Sequence, residues 1–402
     1  MRASLSVPMS QRAASPGGAP PPLLARRGAD VILGESALGA SVAPSRTTMF
    51  GPRGAHLFGD DGPLWVCDTG HHRLLGFAKA PSTDGAPADW VIGQPSFASE
   101  GRNGKGPTSA STVNVPTGIA PVGDGFAVAD AWNNRVLVWR TMPAGDGVPA
   151  DLVLGQADFT GDAPNRGLAA PAADTLHWPS AVLVVGGALV VADTGNRRLL
   201  VWDRLPDAHG APADRVLGQP DFASRSDNGG GDATAASFRW PHALVWQDGL
   251  FVVADAGNSR LLVFRGLPRH GGEPAIAIVG QERATDTDHN QGRYWPTASS
   301  LNMPYGVAGA GDGELVVCDT ASSRVLGFSD LLASGGRQAR RLSAQPSFET
   351  KGDNRWSMPA RDSVCWPYGV QVHRRVDGRR LAVIADSGNN RVLLWELEES
   401  RR

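Results

Sequence analysis

The chain has 402 residues, with 38 basic side chains against 40 acidic and no Lys/Arg stripe, so its charge offers no footprint for nucleic acid. Its three cysteines are too few for a disulfide framework, and no apolar run approaches the length of a membrane helix. The expectation is a soluble cytoplasmic protein whose partners are a protein or peptide, or a small molecule.

At the N-terminus, Met1 to Arg27 lacks the apolar core of a signal peptide, and Pro16 to Pro22 is rich in Pro, Gly and Ala. This composition predicts a disordered tail over 1–28. Ala29-Asp30-Val31-Ile32-Leu33-Gly34-Glu35 then reads as a short strand. It has relatives at Ala88 to Gln94, Ala150 to Gln156, Ala213 to Gln219 and Ile276 to Gln281, and a weaker one at Arg341 to Gln345.

A second signature repeats six times. An Asp (Asp68, Asp130, Asp193, Asp255, Asp319, Asp386) is followed five positions later by an Arg (Arg73, Arg135, Arg198, Arg260, Arg324, Arg391). An aromatic follows four positions further on: Phe77, Trp139, Trp202, Phe264, Phe328 and Trp395. The Asp residues are 62, 63, 62, 64 and 67 residues apart, and a nearly fixed period of this kind means a repeat architecture. Six copies leave no room for a second domain, so 29–398 reads as one unit and 399–402 as a frayed end.

The third copy shows the strands of one unit. Ser180 to Val185 is apolar enough for burial on both faces; Ala188 to Ala192 follows a Gly-Gly turn. Asp193-Thr194-Gly195-Asn196 is a turn in which the Asp side chain can accept local N–H groups, and Arg198 to Trp202 is the third strand. A hairpin through Pro206 and Pro212 leads to the fourth, Arg215 to Leu217. Four antiparallel strands, six times over, predict an all-β fold: a six-bladed β-propeller. Because the chain begins with a fourth-strand segment and ends after a third strand, its N-terminal strand is expected to complete the last blade and close the ring. Cys67 and Cys318 stand where other copies have Ala and read as small buried apolar residues.

In the Val-x-Asp-x-x-Asn-x-Arg core, and in Pro-Thr-Gly at Pro116 and Pro-Tyr-Gly at Pro304 and Pro367, the chain resembles the NHL-repeat family. Trp132 replaces the turn Gly of the second copy, and Ala321 that of the fifth. The units are also longer than the family's usual repeat of about 45 residues, the excess lying between strand four and the next strand one. These polar insertions carry Asn103, Asn165, Asn228, Asn290 and Asn354, for which turn-shaping is the expected role. Tyr294, Trp295 and Trp356 in the same loops are candidate binding anchors. A single domain without recognised catalytic motifs is expected to be a non-catalytic binding or scaffold propeller, presenting its long loop face and channel mouth to a protein, peptide or small ligand. The alternative that the resemblance implies is a metal-dependent lyase or hydrolase at that mouth.

Six equivalent Asp–Arg pairs point to structure, whereas a site requires positions at which the copies differ. Two residues ahead of the Pro that opens strand one stand Phe50, Asn114, His177, Arg239, Asn302 and Cys365; one residue after it stand Arg53, Thr117, Ser180, His242, Tyr305 and Tyr368. Strand one is innermost in a propeller, so both series are expected at the channel mouth. The candidate ligand-binding residues are therefore His177, Arg239, His242, Tyr305, Tyr368 and Arg53. His177, His242 and Cys365 form a candidate site for a divalent metal such as zinc. Deeper in strand one, His56 and Gln371 share a face with the small residues Gly54, Gly118, Ala181, Ala243, Gly306 and Gly369. No Gly-x-Ser-x-Gly, His-Glu-x-x-His or phosphate-binding Gly-rich motif is present, so catalytic residues are not assigned.

Overall fold

The computed structural model describes residues 19–34, 41–333 and 337–399. Six four-stranded antiparallel sheets form a six-bladed β-propeller. The first blade comprises Gly54–Leu57, Leu64–Asp68, Arg73–Phe77 and Trp90–Ile92. In the sixth, Pro367–Arg374, Arg380–Asp386 and Arg391–Glu396 are completed by Val31–Gly34, with Val31 opposite Leu394 and Gly34 opposite Arg391. The ring closes through the N-terminal strand as expected, which pairs the N-terminal segment with the C-terminal strand in one sheet.

Middle strands such as Ala188–Asp193 are buried at every position, because each blade is covered on both faces by its neighbours. The apolar clusters accordingly span adjacent blades: Val136, Val138 and Leu154 of the second pack with Val182, Val191 and Trp202 of the third. Cys67 and Cys318 are fully buried in such layers.

The repeated Asp and Arg are structural hubs. The Asp193 carboxylate accepts the backbone N–H of His177 at 2.7 Å on one oxygen, and Arg198 Nε at 2.7 Å and Asn196 Nδ2 at 2.8 Å on the other. The guanidinium of Arg198 then donates to Phe222 O in the following loop and to Ala172 O and Thr175 O in the preceding one. One buried ion pair thus holds the turn and both flanking loops, using nearly all the donors of the Arg. The long loops are fixed the same way. Asn165, at φ 50°, exchanges amide hydrogen bonds with Asn196 of the turn (3.1 and 2.8 Å), and Gln219 Nε2 donates to Arg197 O and Ser226 O.

Blades are stitched to one another by the residue four after each Asp, which sits in the left-handed region at φ 49–55°. Its side chain accepts the N–H of the residue before Pro in the next blade: His72 from Val115, Asn134 from Trp178, Ser259 from Met303 and Ser323 from Trp366. Asn390 accepts from Gly51 and so joins the last blade to the first. Between the third and fourth blades the position is Arg197, which has no acceptor; Trp240 N–H turns to Asp255 instead, at 3.4 Å.

The N-terminal segment departs from expectation. Residues 19–28, within the stretch expected to be disordered, are seated between the fifth and sixth blades, where Leu23, Leu24 and Ala25 are buried. Leu342 N–H donates to Pro21 O, Ala25 N–H to Glu396 O, and Trp395 Nε1 to Ala25 O. Arg341, itself paired with Glu314, donates to Pro22 O. Two adjacent leucines filling an inter-blade groove outweigh the Pro-rich composition around them. The remaining expected disorder, over 1–18 and from 400 onward, lies outside the described residues. Among the described residues, no helix is long and apolar enough to cross a membrane.

Candidate functional site

Strand one of each blade lines an axial cavity of about 280 Å³. Its small residues are small because neighbouring first strands touch there: a Cβ on Gly54 would lie 2.1 Å from Thr117 O, on Gly118 2.5 Å from Ser180 O, and on Gly369 2.4 Å from Arg53 O. Backbone therefore forms much of the wall. Ile119, Val182, Leu244, Val307 and Val370 supply an apolar lining, and His56 and Gln371 face the cavity from adjacent blades as expected. The apolar lining was not singled out from sequence, since these residues look no different there from those that pack blade against blade.

The residues one after Pro divide the mouth into two unlike halves. Thr117 and Ser180 spend their hydroxyls on backbone, Thr117 Oγ1 on Ser180 O at 3.1 Å and Ser180 Oγ on Pro241 O at 3.1 Å. Opposite them, the next four form a continuous cluster. The ring centroids of His242 and Tyr305 are 4.2 Å apart, those of Tyr305 and Tyr368 4.5 Å, and the Arg53 guanidinium stands 4.6 Å over the Tyr368 ring. Trp178 meets His242 edge-on at 6.4 Å.

The electrostatics of this half are those of neutral donors beside one cation. Burial, aided by Arg53, pushes the His242 imidazole down to about 3, so it is uncharged at neutral pH. Burial lifts both tyrosines above their ordinary range, so they stay protonated. The Tyr305 hydroxyl reaches only the Met303 sulfur, at 4.0 Å, and among the described residues the Tyr368 hydroxyl and the Arg53 guanidinium have no hydrogen-bonding or ion-pair partner. No Asp or Glu lines the cavity. Deeper down, burial holds His56 at about 4, with His373 nearby adding to the effect.

Of the residues expected from sequence, Arg53, His242, Tyr305 and Tyr368 are brought together here, whereas His177, Arg239 and Cys365 do not line the cavity. At those positions the repeated Asp grips the backbone N–H, and the side chain is laid across the turn. A Cβ added to Gly195 would meet His177 Cγ at 2.7 Å; one on Gly257 would meet Arg239 Cγ at 2.8 Å, and one on Gly388 Cys365 Sγ at 2.4 Å. The two copies with a larger turn residue, Trp132 and Ala321, are the two with Asn at the opposing position, so both departures from the repeat have one steric cause. Arg239 pairs with Asp227, which Arg197 also binds. The Cys365 thiol is pushed up to about 12 by burial and then by Asp353 and Asp386. Among the described residues no group of three or more His, Cys, Asp or Glu is placed to hold a metal ion, so His177, His242 and Cys365 do not assemble into the expected donor set.

No protein-family model matches the chain. No curated protein matches it either. Among solved structures it is similar to hydrazine synthase of Kuenenia stuttgartiensis, at 12% identity over 87% of this chain and 96% of that one, with a TM-score of 0.48. It is similar as well to virginiamycin B lyase of Staphylococcus aureus, at 10% identity over 91% and 99% with a TM-score of 0.42. Glutaminyl cyclase of Myxococcus xanthus matches at 12% identity over 92% and 98%, with a TM-score of 0.35. Likeness at this level carries no argument about activity.

Proposed function

We propose that this chain is a binding propeller of the NHL-repeat type that holds a small ligand at the mouth of its axial cavity. The observation that carries this reading is the asymmetry of the mouth. Two blades close their hydroxyls onto backbone, while Arg53, His242, Tyr305 and Tyr368 present polar groups that find little or nothing to bond within the protein. Unsatisfied donors above an apolar-walled cavity are what a small-molecule site requires. The alternative, a metal-dependent lyase or hydrolase, has less support, because the cavity offers no carboxylate or thiolate and its two histidines lie at different depths.

A thermal-shift screen against a library of small metabolites tests the reading. Compounds that raise the melting temperature of the wild type should lose that effect on Tyr305→Ala and keep it on Trp356→Ala, a substitution in a distant loop. Hits whose effect survives Tyr305→Ala would place the ligand elsewhere. A second reading, a protein or peptide on the loop face, is favoured by the exposure of Trp132, Tyr294, Trp356 and Trp366 there. Co-purification that fails on Trp356→Ala or Trp132→Ser would support it.

A further inference from the structure

Resting on the mouth-site reading, we infer that the ligand is a small organic anion, a carboxylate with a flat or apolar body, whose acid group is read by Arg53. Three observations lead there. Arg53 is only partly exposed, and the one group that engages it among the described residues is the face of Tyr368, which occupies one side of the guanidinium and leaves its N–H edge free. A planar fork of donors of this kind matches a carboxylate in a bidentate arrangement. No carboxylate stands beside this cation among the described residues, so a ligand bearing the opposite charge would complete the pair.

The neighbouring groups fit the same ligand. Tyr305 and Tyr368 are protonated and can donate to an anion, and His242 carries no charge that would compete with Arg53 for it. The cavity wall contains no acid to repel it. The aromatic stack and the valine, leucine and isoleucine wall below receive the uncharged remainder, and a cavity of about 280 Å³ limits it to roughly a single ring or a short branched chain.

Calorimetric titration of the full chain with matched probes tests this: benzoate and phenylacetate against benzamide and benzyl alcohol. The carboxylates should bind at least about tenfold more tightly than their neutral partners, weaken with added salt, and lose roughly tenfold or more on Arg53→Gln while Arg53→Lys retains part of the affinity. Both variants should show wild-type circular dichroism, because the side chain makes no hydrogen bond that folding needs. Neutral probes that bind as well as the carboxylates, with Arg53→Gln without effect, would overturn the anion and leave the mouth site standing. Saturable binding by none of the probes up to about 10 mM, a level near the weak end of specific recognition, would overturn both.

Discussion

The imidazole of His177 lies across Gly195, close enough that a Cβ on the glycine would come within 2.7 Å of His177 Cγ and 2.4 Å of its carbonyl oxygen. Gly195 N–H donates to that carbonyl at 2.8 Å, and the equivalent bonds of Trp132 and Ala321 are 3.0 and 3.2 Å. Gly195→Ala should therefore cost about 1–3 kcal/mol, the range for forcing an atom into a packed site. His177→Asn, which recreates the partner used opposite Trp132 and Ala321, should recover part of it. Denaturant titration of the two single variants and the double would show the coupling; strictly additive effects would mean the steric account is wrong.

Arg198 is fully buried and binds Asp193 and three loop carbonyls. Arg198→Met strands a buried carboxylate and should destabilise by about 3–5 kcal/mol. The double variant with Asp193→Asn should be less damaging than the two losses added together, as read by urea unfolding.

Acid should weaken the fold through its buried histidines. The folded state holds His242 near 3 and His56 near 4, both below the ordinary value of 6.5, because burial disfavours the imidazolium. As pH falls below 6.5 the unfolded chain takes up these protons first, so stability is lost from there down toward the folded values. At pH 5 the loss should be about 1–2 kcal/mol per histidine. His242→Phe keeps an aromatic in the stack and should flatten this part of the profile between pH 7 and 5; an unchanged slope would remove His242 from the account.

Leu24→Ala, in the segment between the fifth and sixth blades, should lower stability by about 2–4 kcal/mol in chemical denaturation. A change within about 0.5 kcal/mol, as at an ordinary surface position, would mean that the segment does not contribute to the fold.

The last blade is joined to the first by Asn390, whose side-chain oxygen accepts Gly51 N–H at 2.9 Å. Asn390→Ala removes that bond and a side chain suited to the left-handed backbone at φ 54°, and should cost about 1–2 kcal/mol. Faster amide exchange along Val31–Gly34 than along the outer strands of other blades would locate the loss at the seam.

The architecture was legible because a repeat makes the chain state the same local rule six times. The Asp-to-Arg spacing, the four apolar runs and the stray first strand each follow from turn chemistry and burial, and these depend on residues near in sequence. The mouth was half legible: Arg53, His242, Tyr305 and Tyr368 follow Pro on an innermost strand, and their variation marked them. Whether His177, Arg239 and Cys365 join them was decided by the fold, because the Asp carboxylate holds their backbone N–H and a bare glycine across the turn receives their side chains. The N-terminal leucines were likewise placed by a groove that exists only once two blades, separated by sixty or more residues in sequence, stand side by side.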